Sequence, residues 1–118
     1  MFASLFLRFL NWEASLAGNS PGRIIDSLEL KQGQVIADIG SGGGYFTLQF
    51  AGNVGKTGKV YAVDIEPKYL DFIGRQSRKE GLDNIILVPA KGGQPDLPEG
   101  GLDLAFARNV FLRAIRGW

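Results

Sequence analysis

The stretch from Val35 to Phe46 reads Val-Ile-Ala-Asp-Ile-Gly-Ser-Gly-Gly-Gly-Tyr-Phe, a short apolar run with one acid that ends in a cluster of glycines. The apolar residues are typical of a strand that is buried on both faces. The glycines allow a tight turn and a close approach of the backbone to a ligand, and helix-like sequence begins at Tyr45. The stretch therefore predicts a strand, a ligand-binding loop and a helix in succession.

The spacing and the charge of this loop indicate which kind of ligand it binds. A dinucleotide fingerprint counted from Gly40 needs a glycine at position 45, but this chain has Tyr45 there and its third glycine is Gly44. Asp38 precedes the loop by two residues, and its negative charge would repel a pyrophosphate and attract an ammonium or a sulfonium group. The pattern favours a cationic cofactor over a dinucleotide.

A second part of the site is predicted in the stretch from Lys59 to Pro67, which reads Lys-Val-Tyr-Ala-Val-Asp-Ile-Glu-Pro. This β-branched run predicts the second strand of a βαβ unit, with Asp64 at its carboxyl end. The carboxyl ends of such strands border the ligand crevice, and a carboxylate there can accept hydrogen bonds from both hydroxyls of a ribose. A ribose is therefore expected, and a 2′-phosphate is disfavoured.

Together the two motifs resemble those of class I S-adenosylmethionine-dependent methyltransferases, over roughly residues 20–111. The resemblance implies that the loop from Asp38 to Gly44 holds the methionine part of S-adenosyl-L-methionine, that Asp64 holds its ribose, and that Ile65 lies against its adenine. The cofactor-binding residues that it implies are Asp38, Gly40, Ser41, Gly42, Gly44, Tyr45, Asp64, Ile65 and Asn109. It identifies neither a catalytic residue nor the methyl acceptor, and no metal site is expected.

Two other functions stay open on the residues alone, since a fold does not fix a function. One is a non-catalytic nucleotide-binding or regulatory module, and the other is an NAD-dependent oxidoreductase. The adenine contact is also open. Methyltransferases of this class commonly place an acid shortly after the third strand, where this chain has Lys91, so a backbone carbonyl, Gln94 or Asp96 would have to accept the adenine amino group instead.

Periodicity and turn residues predict the remaining elements. They are a helix that begins at Ser20-Pro21 and carries Ile24, Ile25 and Leu28, helices over Tyr45–Ala51 and Pro67–Gly81, and strands over Asn84–Pro89 and Leu102–Ala107. In the helix that begins at Pro67, Tyr69, Leu70 and Ile73 are expected to face the sheet. The predicted fold is an α/β, Rossmann-like three-layer domain with a parallel sheet in the order 3-2-1-4 and helices on both faces.

Composition restricts the alternatives. With 118 residues the chain is expected to form a single domain, with an N-terminal helical segment (1–31), a partial cofactor-binding core (35–111) and an atypical tail (112–118). A net charge of +1 gives no strong nucleic-acid signal. The chain has no cysteine and no histidine, which excludes disulfides, thiolate zinc sites and Ser-His-Asp catalysis, and a cytoplasmic location is the default. Methyl transfer needs none of these, because a sulfonium is already an activated electrophile.

The two ends of the chain carry further expectations. Phe2, Leu5, Phe6 and Phe9 fall at helical spacing, and this apolar run is too short for a membrane span. The sheet is expected to be incomplete relative to the seven-stranded methyltransferase fold, so the chain would be a fragment, a frame-shifted product or a complete minimal protein. We expect a chain of this kind to self-associate through its exposed fourth strand and not to catalyse methyl transfer by itself.

Overall fold

The computed structural model describes residues 21–91, 95–98 and 100–107. The elements in these ranges are α1 (Pro21–Leu28), β1 (Val35–Ile39), α2 (Tyr45–Val54), β2 (Lys59–Asp64), α3 (Pro67–Lys79), β3 (Ile85–Pro89) and β4 (Leu104–Ala107). Each predicted element in the described ranges is present. The bounds differ most at α2, which continues to Val54 rather than ending at Ala51, while β4 begins two residues later and α3 ends two residues earlier than predicted. None of these helices has the length and apolar character to cross a bilayer.

The four strands form one parallel sheet in the order β3-β2-β1-β4, as predicted. Ile36 lies between Val60 of β2 and Leu104 of β4, and Asp38 lies between Ala62 and Phe106. Because every pairing is parallel, all four strands end at the same edge of the sheet. The loop that follows β1 and the turn that follows β2 are thereby placed side by side.

The three described helices pack on the same face of the sheet. Their largest shared cluster contains Ile24 and Leu28 of α1, Phe50, Ala51 and Val54 of α2, and Ile36, Val60, Leu104 and Phe106 of the strands. Leu70 and Ile73 of α3 pack on Ala62 farther along the same face. At the centre, the rings of Phe50 and Phe106 meet nearly at right angles with their centroids 5.0 Å apart, a favourable aromatic geometry.

Much of the opposite face of the sheet is buried as well. Its buried residues are Ala37, Ile39, Val63, Val88, Ala105 and Ala107, all less than a tenth exposed, whereas Ile86 on the same face is 39% exposed. Because β4 lies beyond β1, the usual right-handed sense of a crossover would take the connection from β3 to β4 over this face. Pro95, within that connection, is buried. Burial on both faces is what the apolar, non-alternating sequence of β1 predicts, whereas helices on this second face stay a prediction.

Helix α3 corrects one detail of the sequence analysis. Glu66 caps it, Pro67 occupies its first turn, and its buried stripe consists of Leu70, Ile73, Gly74 and Ser77. Tyr69 was predicted to face the sheet, but it is 47% exposed, so that prediction is wrong. The helical repeat places Tyr69 at the border of the stripe, where its ring reaches solvent.

The end of α2 depends on a side chain that is distant in sequence. Asn84, which is buried just before β3, donates hydrogen bonds from Nδ2 to the carbonyl oxygens of Ala51 and Gly55, both at 2.9 Å. The last carbonyls of a helix lack a full set of partners, and here the side chain adds a donor to that of the Gly55 amide, which also donates to Ala51. Asn84 therefore joins the start of β3 to the end of α2.

Strand β4 is fixed at its beginning by Asp103. The Val35 amide donates to Oδ2 of Asp103 at 2.8 Å, and the Asp103 amide donates to the Val35 carbonyl oxygen at 2.7 Å. All four side chains of β4 are buried. Self-association through this strand stays a prediction.

Two glycines near the end of α2 provide a matched test of the packing. A methyl group on the buried Gly58 would lie 2.6 Å from the Gln34 carbonyl oxygen and 2.6 Å from the Val54 side chain, whereas one on Gly52 would meet nothing within 4 Å. We expect Gly58→Ala to lower the free energy of unfolding by about 1–3 kcal/mol through overpacking. Gly52→Ala should raise it by about 0.5–1 kcal/mol, since alanine suits a helix better. Urea denaturation measures both, and equal stability of the two variants would contradict this packing.

Candidate ligand-binding site

The candidate site lies at the edge of the sheet where β1 and β2 end and α2 begins. Gly40, Gly42 and Gly44 have φ angles of 74°, 55° and 90°, a backbone conformation that side chains other than glycine rarely adopt. The amides of Gly40 and Ser41 both donate to the carbonyl oxygen of Val63, at 2.8 and 3.0 Å. The loop is thus bound to the end of β2 through its backbone.

Two neighbouring glycines of the loop have different surroundings. A Cβ atom on Gly44 would lie 2.5 Å from Cγ1 of Ile73 in α3, so only glycine fits there with α3 in place. A Cβ atom on Gly43 would meet nothing within 4 Å. Gly44 therefore has a packing role, which the sequence analysis did not foresee, and the open side of the loop is at Gly43.

The carboxylate of Asp64 joins the loop to the turn after β2. Its Oδ2 accepts a hydrogen bond from the Gly42 amide and its Oδ1 accepts one from the Glu66 amide, both at 2.9 Å. Each carboxylate oxygen can accept a further hydrogen bond, so Asp64 retains acceptor capacity for a ligand. Ile65, the next residue, is 72% exposed at the same edge.

The carboxyl group of Asp38 is buried behind the loop and is only 3% exposed. Thr47, in the first turn of α2, is fully buried and donates a hydrogen bond from Oγ1 to Oδ2 of Asp38 at 2.5 Å. Burial raises the pKa of Asp38 to about 7, the Thr47 hydrogen bond opposes that rise, and the nearby Asp64 carboxylate adds to it. Asp38 is therefore poised between its neutral and its charged form near neutral pH.

The amino-terminal end of α2 faces the loop without a side-chain cap. Its N-cap residue is Gly44, which supplies no side-chain acceptor, and its first residue, Tyr45, is 52% exposed. The first amides of a helix carry a partial positive charge, and this end of α2 can accept an anionic group. Ser41 contributes a buried hydroxyl oxygen that has no hydrogen-bond partner in the described part of the chain.

A cavity of about 410 Å³ opens beside the loop, between the amino-terminal half of α2 and the middle of α3. Ser41, Gly43 and Tyr45 border it on one side, and Phe72 and Gln76 of α3 border it on the other. The ring of Phe72 is 41% exposed there. The sequence analysis assigned no role in ligand binding to Phe72 or Gln76.

Of the predicted site residues, the structure brings together all those between Asp38 and Ile65. Asn109 lies outside the described residues, as does Gln94. Lys91 and Asp96 are exposed, and no described contact connects either of them to the loop. The important residue that the sequence analysis missed is Thr47, although its position on the apolar stripe of α2, three residues before Phe50, was a signal that its hydroxyl would be buried.

Comparisons with known proteins give a consistent result. Residues 36–116 match a family model described as a methyltransferase domain. The chain is 38% identical over 72 residues to a probable cobalt-precorrin-6B C(15)-methyltransferase (decarboxylating) of Saccharolobus solfataricus, covering 60% of this chain and 35% of that protein. It is 35% identical over 74 residues to a protein-L-isoaspartate O-methyltransferase of Methanococcoides burtonii, covering 63% and 36%.

The fold also matches a solved structure, that of a SAM dependent methyltransferase from Aquifex aeolicus, with a TM-score of 0.68 and 24% identity. The match covers 86% of this chain and 55% of that one. At this level of identity the likeness supports the fold. The chain spans little more than a third of the length of the two curated relatives.

Because burial raises the pKa of Asp38, we expect the stability of the protein to depend on pH. The native pKa is about 7 and the ordinary value is 3.8, so between these limits the unfolded chain loses the proton while the native protein keeps it. The contribution of Asp38 to the free energy of unfolding is fully present below about pH 4 and is lost as the pH rises to about 7. The loss is of the order of 4 kcal/mol at about 1.4 kcal/mol per pKa unit.

Asp38→Asn, which cannot titrate and keeps an oxygen for Thr47, isolates this contribution. We expect the wild-type protein to lose stability relative to the variant as the pH rises through that window, with no further change at higher pH. Urea denaturation of both proteins at several pH values measures the difference. Stability curves that stay parallel at every pH would show that Asp38 titrates normally.

Proposed function

The chain belongs to the methyltransferase-domain family, and from this premise we propose that it binds S-adenosyl-L-methionine and serves an S-adenosylmethionine-dependent methyltransferase. The observation that carries the proposal is the pair of carboxyl groups next to the glycine loop, Asp38 behind it and Asp64 beside it. This arrangement suits a cationic ligand with a ribose. It does not suit a pyrophosphate, which the Asp64 carboxylate, and Asp38 in its charged form, would repel.

The amino-acid end of S-adenosylmethionine is a zwitterion, and the site has a complement for each of its charges. Asp38 would attract the ammonium and the sulfonium. The uncapped amino terminus of α2, at Gly44 and Tyr45, would receive the carboxylate. The unpartnered hydroxyl of Ser41 and the open side of Gly43 are a further fit, because they leave a donor and room for a ligand against the backbone.

The nucleoside end would lie toward β2. Asp64 has one acceptor position left on each oxygen after its bonds to Gly42 and Glu66, and these would receive the two ribose hydroxyls. The exposed Ile65 offers an apolar surface for the adenine. The group that accepts the adenine amino hydrogens is not assigned, since Lys91 has no acceptor. Asn109 completes the proposed cofactor-binding residues.

The bound cofactor supplies an activated methyl group, so the protein's part in the reaction is to bind, orient and exclude water. The described residues of this chain supply the binding part. Relatives of this chain are described as precorrin and isoaspartate methyltransferases, two chemically different activities, so the methyl acceptor is left as a substrate of unassigned class. We also propose that the whole protein catalyses methyl transfer and that it is located in the cytoplasm.

Titration calorimetry with S-adenosylmethionine, S-adenosylhomocysteine and NAD tests the proposed ligand. We expect binding of the first two and weak or no binding of NAD. Preferential binding of NAD would replace the proposal with an oxidoreductase, and the absence of binding by all three would refute it. A methyl-transfer assay over small-molecule, protein and RNA acceptors then tests for activity.

Asp64 provides a sharper test of the site. Asp64→Ala removes the acceptor for the ribose, and we expect S-adenosylmethionine affinity to fall by roughly 1.5–3 kcal/mol, or about 10- to 150-fold. The matched control is Asp83→Ala, which removes the same charge from an exposed position before β3, at the other edge of the sheet. Calorimetry of both variants measures the effect, with thermal melts to confirm folding. Equal affinity of the two folded variants would place the ribose elsewhere.

A further inference from the structure

The hydrogen bond between Thr47 and Asp38 is short and buried. Its 2.5 Å oxygen-to-oxygen distance lies at the short end of the range for a hydroxyl that donates to an oxygen. Both side chains are excluded from solvent, with exposed fractions of 0% for Thr47 and 3% for Asp38. A buried carboxylate with such a partner is partly, not fully, compensated for its loss of hydration.

The surroundings of Asp38 offer it no described cation. Within β1 it is the one charged residue, β4 has none, and α2 has none besides the titratable phenol of the exposed Tyr45. From β2 the nearest charged group is Asp64, which has the same sign. The charged side chains of α3, namely Lys68, Asp71, Arg75, Arg78 and Lys79, are exposed on its outer surface. In the described residues, the pair therefore has a hydroxyl donor but no countercharge.

We propose that Thr47 is a positioning residue that holds Asp38 ready to receive the cationic end of the ligand, and that ligand binding releases one proton from this pair to solvent. In the free protein the Asp38 carboxyl keeps its proton at pH values below about 7 and accepts the hydrogen bond from Thr47. When a cation binds against this pair, the proton leaves to bulk water and the Thr47 hydroxyl continues to donate to the carboxylate that forms. The inference rests on the proposed function and adds a coupling between ligand affinity and pH at the same site.

The coupling distinguishes ligands by charge. S-adenosylmethionine and S-adenosylhomocysteine both carry an ammonium group, and the first also carries a sulfonium. 5′-Methylthioadenosine keeps the adenosine and a neutral sulfur but has no cation. Affinity for the two charged ligands should therefore weaken by up to about tenfold per pH unit as the pH falls below neutral, as one-proton linkage requires. Affinity for 5′-methylthioadenosine should stay nearly constant.

Thr47→Val removes the donor and keeps the shape of the side chain. Because the hydroxyl favours the charged carboxylate, its loss should move the affinity profile to higher pH. At about pH 6, affinity for S-adenosylmethionine should fall by about tenfold, and at about pH 8.5 it should change little. Thr47→Ser, which retains the hydroxyl, should restore the wild-type profile. A merely structural role would lower affinity by the same factor at every pH.

The experiment is titration calorimetry of the 118-residue chain and these variants between about pH 5.5 and 8.5, in buffers of different ionisation enthalpy, which counts the protons released. We expect release of nearly one proton at about pH 6 with either charged ligand, almost none with 5′-methylthioadenosine, and none with Asp38→Asn. The wild-type comparison of ligands needs no variant, so it stands even if Thr47→Val does not fold.

The outcomes separate this inference from the proposed function. Tight binding of S-adenosylmethionine without proton release, or equal release with 5′-methylthioadenosine, would overturn the coupling and leave the ligand assignment intact. An unchanged pH profile in folded Thr47→Val would overturn the role of Thr47. If none of the three ligands binds at any pH, both the inference and the proposed function are wrong.

Discussion

Because β1 and β2 are parallel, the chain must run back from the carboxyl end of β1 to the amino end of β2. Helix α2 makes this return, and α3 makes the same return between β2 and β3 on the same face of the sheet. Both helices therefore begin at the edge where the strands end. This constraint brings a glycine loop, two strand-terminal acids and a helix amino terminus to one place, although they are spread over residues 38–64.

The residues at that edge also hold one another in position. Asp64 accepts a hydrogen bond from the loop at Gly42, and Ile73 of α3 occupies the space that a side chain at position 44 would need. The loop is thus bounded by β2 on one side and by α3 on the other. Two carboxyl groups lie close together there with no described cation between them, and Asp64 is one cause of the raised pKa of Asp38. Perturbed pKa values of this kind cluster at functional sites.

Much of this arrangement could be predicted from local sequence. The apolar run before Gly40, the glycine pattern and the acid at Asp64 are short-range signals, and they were sufficient to predict the strand order and to select residues that lie together at one end of the sheet. What could not be predicted depends on register between distant segments. The Thr47 hydroxyl meets Asp38 only because α2 lies over β1, and the contact of Gly44 with Ile73 joins residues of different helices.

Asn84 shows how the same dependence on distant segments affects folding. The carbonyls that it caps belong to residues 33 and 29 positions earlier in the chain, so the end of α2 gains these side-chain donors only when β3 docks beside β2. The Oδ1 atom of Asn84 is buried without a partner among the described residues, which is a cost of this docked arrangement. Opening of the β3 edge would therefore weaken the end of α2 as well. The βαβαβ part of the chain should exchange its amide hydrogens as one cooperative unit rather than strand by strand.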